Sequence, residues 1–299
     1  MIGTSGALSL VQSAFESLRL ALAALAISVL LFGFITLAVK GGEALEAGFR
    51  AIAEVRMNLA FYFFDALFVA PGLTIAITAM MLVVNHYSLP VAAPLWSGAG
   101  RPITFISVLF LGDLLSYWRH RVEHTSWFWP AHVIHHSDTD MTWLTLSRFH
   151  PINRITTAII DTFFLALLGF PTWALVSNNL VRHYYGEFIH ADLPWTYGRF
   201  GKLLVSPAMH RWHHARDVVG AGSNFATVFS VFDRAFRTFY LPGPCHVPLG
   251  VTDDQYPGRG VIKHMLHPLV AWSGSVATVV AGDKAATAAS SIADRDRLT

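Results

Sequence analysis

The sequence predicts an all-α fold: an integral membrane helical bundle carrying a cytoplasmic, histidine-rich helical cap. Three observations predict it. The 299 residues are 54% hydrophobic and only 13% charged, with mean hydropathy +0.47, whereas ordinary soluble domains carry about 25% charged residues. Several apolar stretches are long enough to cross a bilayer. Between them lie polar, aromatic segments in which histidines recur at helical spacing. The net charge of +2 is small and no basic stripe marks a nucleic-acid partner. The lone cysteine, Cys245, excludes an internal disulfide and a thiolate metal site.

Leu20–Val39 is the first span, and Leu8–Arg19 can extend its helix along the interface. The N-terminus lacks a basic leader region, so this stretch is read as an anchor rather than a cleaved signal. Lys40–Arg56 is a polar connector. Met57–Val84 is a second apolar stretch interrupted by Pro71-Gly72, which fits either one long kinked helix or a bent hairpin. Its Asp65 is costly at mid-bilayer and is expected to face protein or the interface. Leu89–Pro102 reads as a loop, and Ile103–Trp118 as a third apolar stretch running into the first histidines. Arg119–Asn153 is too polar to face lipid. Ile155–Tyr185 is apolar again, with Gly169-Phe170-Pro171 near its middle; Arg199–Tyr240 returns to charged and aromatic residues. Residues 264–282 read as a moderately apolar helix, and 283–299 as a disordered polar tail. No linker divides the chain, so residues 1–282 are expected to form one domain with its core motifs at 113–240.

Eight histidines form three groups: His120 and His124; His132, His135 and His136; His210, His213 and His214. On a helix, positions i, i+3 and i+4 share a face, so each group is expected to aim its rings at one point. Imidazole is the commonest protein ligand of transition metals. Eight such ligands exceed the four of a tetrahedral ion and suit two metals. An interfacial belt of polar residues would not repeat H-x-x-H-H twice beside a pair at i, i+4.

The groups must meet on one side of the membrane, so Ile155–His190 is expected to enter and leave by the same face, turning at Gly169–Pro171. Arg119, Arg121, Arg148, Arg154, Arg199, Arg211, Arg216, Arg234 and Arg237 accompany the histidines, which makes that side cytoplasmic by the positive-inside rule.

Further residues stand near the groups. Asp113, Tyr117, His120 and His124 form one helical stripe, so Asp113 could orient His120, or instead cap the helix or pair with Arg119. His183, Glu187 and His190 form another: His190 is a candidate ninth ligand, Glu187 its outer partner, and His183 an interfacial residue. His150 could hydrogen-bond within the site. His86, His246, His264 and His267 read as loop or surface residues. Trp127, Phe128, Trp129, Trp143 and Trp212 suit an aromatic belt or a pocket wall.

The metals alone leave three functions open. A transporter would place its ligands near mid-bilayer, whereas these lie in polar stretches flanking the spans. HRVEH also matches a zinc hydrolase signature with Glu123 as base, but that leaves six grouped histidines without a role. A lipid oxidase fits metals placed where apolar helices meet the interface.

The stretches DLLSYWRHRVEH, WPAHVIHHSDTDM, LSRFHP, GEFIHAD, SPAMHRWHH and NFATVFSVFDRAFRTFY together resemble the fatty acid hydroxylase/sterol desaturase superfamily of membrane di-iron enzymes, over about Asp113 to Tyr240. Two positions depart from its late segment, Ala226 for glycine and Phe232 for tryptophan. The resemblance implies two iron ions held by His120, His124, His132, His135, His136, His210, His213 and His214, with His190 as an additional ligand, and with Asp233 structural or an outer carboxylate. It also implies O2 as co-substrate, hydroxylation or desaturation of a lipid C–H bond, and electrons from a separate reductase with a cytochrome b5-like or ferredoxin-like carrier.

Overall fold

The computed structural model describes residues 4–216, 222–255, 258 and 260–273. It is 71% helical, and the described residues contain no strand, only a single bridge between Ala215 and Leu249. Two compact units divide the chain, Met1–Tyr256 and Pro257–Thr299. In the second, the described residues form one helix over 261–273. Within it His264 is buried, its Nδ1 3.0 Å from the Gly260 carbonyl, so this histidine is not the loop or surface residue the sequence suggests. The tail at 283–299 lies outside the described residues.

The first unit begins with α1 (Thr4–Lys40), in which the leading segment and the first apolar stretch form one helix. A short α2 (Glu43–Arg50) follows. The next apolar stretch is also one continuous helix: α3 (Ile52–Phe64), a π turn at Asp65–Val69 and α4 (Ala70–His86). Pro71 explains the π turn. A proline cannot donate to the preceding turn and its ring crowds it, and the widened turn moves the bond, with Ala70 N–H donating to the Asp65 carbonyl five residues back. The kinked-helix reading therefore holds over the hairpin. Asp65 is paired with Arg154 at 2.9 Å.

Val11–Lys40 and Ile52–His86 are long and apolar enough to cross a membrane, and only 11% of the most apolar window of each is buried inside the protein. A soluble core helix would be buried; helices this apolar and this uncovered suit lipid.

Residues 93–99, expected to be loop, form α5 (Ala93–Ala99), and α6 (Arg101–Glu123) runs through the third apolar stretch to the first histidines. Then come α7 (Trp129–His136) and α8 (Pro151–Thr157). A π turn at Ala158–Phe163 leads to α9 (Phe164–Leu167), and α10 (Thr172–His190) returns. The turn between α9 and α10 falls at Gly169, as the sequence indicates. Gly169 has φ +81°, and a Cβ there would lie 2.5 Å from the Ala93 nitrogen, so the turn requires glycine. Trp96 closes it by donating to the Leu168 carbonyl and stacking on Phe170. Because the hairpin folds back, His190 arrives beside His135 of α7 and the histidines His210 and His214. The last elements, α11 (Pro207–His213) and α12 (Val231–Ala235), are short.

Candidate metal centre

Each histidine segment is set by local chemistry. Pro130 and Pro207 start α7 and α11 in the first turn, where a missing N–H costs nothing. The Ser206 hydroxyl caps α11 by accepting from Met209 N–H. His150 caps α8, its ring accepting from Ile152 N–H at 3.2 Å.

All nine histidines singled out from the sequence converge, but into two clusters. His120, His124, His132, His136 and His213 form the first; His135, His190, His210 and His214 form the second. Within each cluster the ring nitrogens lie within 4.8 Å of one another. The expectation that every group aims at one point is corrected here. The second and third groups are split, and by the same rule. Side chains at i and i+4 diverge by about 40°, while those at i+3 and i+4 diverge by about 100°. Thus His132/His136 and His210/His214 stay together, while His135 and His213 cross to the opposite cluster.

The rings are held from behind by acceptors. His120 Nδ1 donates to the Phe225 carbonyl at 2.8 Å, His190 Nδ1 to the Gly186 carbonyl at 2.6 Å, and His213 Nδ1 to the Ser223 carbonyl at 2.5 Å. A carbonyl only accepts, so these three rings carry their proton on Nδ1 and turn an Nε2 lone pair inward. In the second cluster, His190 Nε2 lies 3.1 Å from His135 Nε2 and 3.0 Å from His210 Nε2. In the first, His120 Nε2 lies 3.1 Å from His132 Nε2.

These distances fit a metal. Two nitrogens about 2.1 Å from one ion are about 3.0–3.4 Å apart at bond angles near 90–110°. The orphaned atoms agree. Among the described residues, His124 Nε2, His136 Nε2, His213 Nε2 and the nitrogens of His214 are buried without a hydrogen-bond partner, so each of these four rings has a nitrogen free for a metal; His135 Nδ1 and His210 Nδ1, also unpartnered, lie on the ring side away from the cluster. Each such buried group costs about 1–3 kcal/mol unless something satisfies it. All-imidazole sets suit iron, zinc and copper alike.

The cavity also keeps the rings neutral. Burial first, and the neighbouring histidines second, push His132, His135, His136, His210 and His214 well below the ordinary histidine range. Burial takes His213 to about 4. Neutral imidazole is the form that binds metal.

The surrounding carboxylates act through the backbone. Asp113 neither touches His120 nor pairs with Arg119; it accepts from the backbone N–H groups of Thr227, Val228 and Phe229 at 2.7–3.1 Å. Asp233 accepts from Phe225 and Ala226 N–H at 2.7 and 3.1 Å and from the Thr238 hydroxyl. Together they clamp the loop whose carbonyls anchor His120 and His213. Burial lifts the Asp233 carboxyl to about 7. Glu187 accepts from Ser28 of α1 at 2.7 Å and lies 3.5 Å from His183.

Glu123 is buried behind the His132 ring, 3.5 Å from its Nδ1, and accepts from Arg119 and Thr156. That place does not suit a hydrolytic base facing substrate. Asn153, also against His132 Nδ1 at 3.3 Å, and Phe149, stacked on His135 at 4.2 Å, complete the wall. Neither was singled out from the sequence, since both are brought in by the turn at 143–150. The same turn buries Asp138, which accepts from Asn58 and Thr145. Arg148 pairs there with Glu54 and donates to Asn58. Of the aromatic residues, Trp129 packs on His124 and His136, Trp143 stacks on Phe32, and Trp127 is 64% exposed.

Residues 105–238 match the model of the fatty acid hydroxylase family. An alkylglycerol monooxygenase of Caenorhabditis elegans is 33% identical over 146 residues, 46% of this chain and 27% of that protein. An ornithine lipid hydroxylase of Rhizobium tropici is 28% identical over 172 residues, covering 56% and 51% respectively. A very-long-chain aldehyde decarbonylase of Oryza sativa subsp. japonica is 26% identical over 176 residues, covering 56% and 62%. The chain thus spans less than two thirds of the length of each of these relatives. No solved structure matches it.

Proposed function

Residues 105–238 match the model of the fatty acid hydroxylase family, and on that premise we propose that this chain is a member of it, a membrane-bound di-iron oxygenase that hydroxylates a C–H bond of a lipid. The observation that carries this reading is the pair of adjacent, buried, all-histidine clusters with inward lone pairs. We assign His120, His124, His132, His136 and His213 to one iron and His135, His190, His210 and His214 to the other.

When bound, the two irons supply the O2 activation that an unactivated C–H bond requires. The protein supplies the rest. Neutral imidazoles leave the donor set ready for the cations, the carbonyls of Phe225, Ser223 and Gly186 fix the rings, and burial excludes water. Hydroxylation consumes O2, two electrons and two protons per substrate and releases one water. The electrons come from a separate carrier protein of cytochrome b5 or ferredoxin type.

The relatives' names, an alkylglycerol monooxygenase and an ornithine lipid hydroxylase, support a lipid substrate and insertion of oxygen over desaturation. The two apolar helices support a multi-pass bundle capped by the histidine segments. The arginine-rich texture of those segments supports a cytoplasmic cap.

The test is direct. Purified protein is expected to carry two irons per chain. Cells expressing it under 18O2 are expected to accumulate a lipid bearing one 18O hydroxyl, absent from the deletion strain. Product formation by iron-free protein, or hydroxyl oxygen drawn from water, refutes the proposal.

A further inference from the structure

Helix α6 has an exposed apolar face. Ile103, Ile106 and Phe110 follow one another at steps of three and four and are 60%, 58% and 42% exposed. They lie on one side of the helix, opposite the buried Thr104, Val108 and Gly112. This face ends against the late segment of the chain. Phe110 packs on Phe229 and Phe232 with ring centroids 5.6 and 4.8 Å apart, and Trp118 packs on Phe236 at 4.8 Å. The turn at Gly198–Lys202 is tied to the same segment, since Ser230 donates to the Gly201 carbonyl and Arg234 reaches the Lys202 carbonyl.

The outer side of this assembly mixes two kinds of exposed side chain. Arg199, Lys202, Arg234 and Arg237 are all exposed, and none forms an ion pair among the described residues. The carboxylates beneath them, Asp113 and Asp233, are fully buried and spent on backbone N–H groups. Between the cations stand Phe200 and Leu203, 54% and 51% exposed, with the Arg199 guanidinium 5.1 Å over the Phe200 ring.

We propose that this collar, Arg199, Phe200, Lys202, Leu203, Arg234 and Arg237, seats on the bilayer surface beside α6 and binds the phosphate headgroups of anionic lipids. Large apolar side chains set among cations are the composition of a membrane interface, where the rings and aliphatic tips enter the acyl boundary and the charges meet phosphate. Continuity with the apolar face of α6 favours the bilayer. The collar would hold the histidine clusters at a fixed height above the lipid, whichever metal they carry.

The test uses the full chain in nanodiscs of phosphatidylcholine with and without phosphatidylglycerol. In a Cys245→Ser background, a bimane on Leu203→Cys is expected to be quenched by brominated lipid. Phosphatidylglycerol retained through purification, counted by native mass spectrometry, is expected to fall in the variant R199Q/K202Q/R234Q/R237Q, each charge being worth about fivefold in affinity. The control R50Q/R56Q is expected to retain it. An unquenched label overturns the proposal, as does protection of the label by an added acidic carrier protein instead of lipid. Equal phosphatidylglycerol retention by wild type and the quadruple variant overturns it too. Iron content plays no part in either readout, so the result stands apart from the assignment of the metal centre.

Discussion

Replacing Asp233 by alanine tests how the first cluster is held. The carboxylate accepts from Phe225 N–H at 2.7 Å, Ala226 N–H at 3.1 Å and the Thr238 hydroxyl at 2.8 Å. Thr238 keeps a second partner in Tyr117, so alanine orphans two buried amides. At about 1–3 kcal/mol each, and with the cost of burying the charge itself relieved, the expected loss of stability is about 3 kcal/mol. The larger consequence is local. The freed loop carries the Phe225 and Ser223 carbonyls that anchor His120 and His213, and disturbing such outer partners weakens metal binding by about 10–100-fold. Neither ring belongs to the second cluster. Titration of Asp233→Ala with a chelator is therefore expected to strip one iron early and leave the other. A His210→Ala background, in which the second cluster is already impaired, provides the check: adding Asp233→Ala should remove the remaining iron. If Asp233→Ala resists the chelator as wild type does, or loses both irons together, the loop does not serve one cluster and the reasoning fails.

Three further outcomes follow from the geometry. Gly169→Ala is expected to lower the thermal midpoint, since a left-handed alanine costs about 1–2 kcal/mol and its Cβ would meet the Ala93 nitrogen at 2.5 Å; an unchanged midpoint would show that the turn relaxes freely. Glu123→Gln is expected to destabilise by about 1–3 kcal/mol, because it removes one of the two carboxylates paired with Arg119 while Asp161 remains, and to weaken iron at His132; abolished activity with unaltered stability and metal content would instead favour a catalytic base. Acidification is expected to destabilise the protein. The folded histidines hold pKa values below the ordinary 6.5, down to about 4 for His213, so below pH 6.5 the unfolded chain binds more protons than the folded one. Stability is complete above that pH and falls toward about 4, where iron is released. Asp233, lifted to about 7, works the opposite way but is one group against many. A melting temperature flat between pH 7 and 5 would contradict this.

The sequence on its own picks out the nine histidines that converge and the apolar stretches long enough to cross a membrane. Composition and apolar run length are local properties, and histidines at helical spacing are legible without coordinates; even His190 is found by its place at the end of the hairpin's return arm. The Gly169 turn is equally local, because backbone sterics single out glycine there. What tertiary structure alone decides is the partition of the rings. The i+3 histidine of the second and third groups crosses to the other cluster, a matter of angular divergence about a helix axis relative to neighbours the sequence does not locate. The roles of Asp113, Asp233 and Glu123 likewise depend on which backbone or ring the fold brings to them. Asp113 shares a helical stripe with His120, yet it serves a loop more than a hundred residues away in sequence, because buried amides without a helix or sheet to pair them had to find an acceptor somewhere.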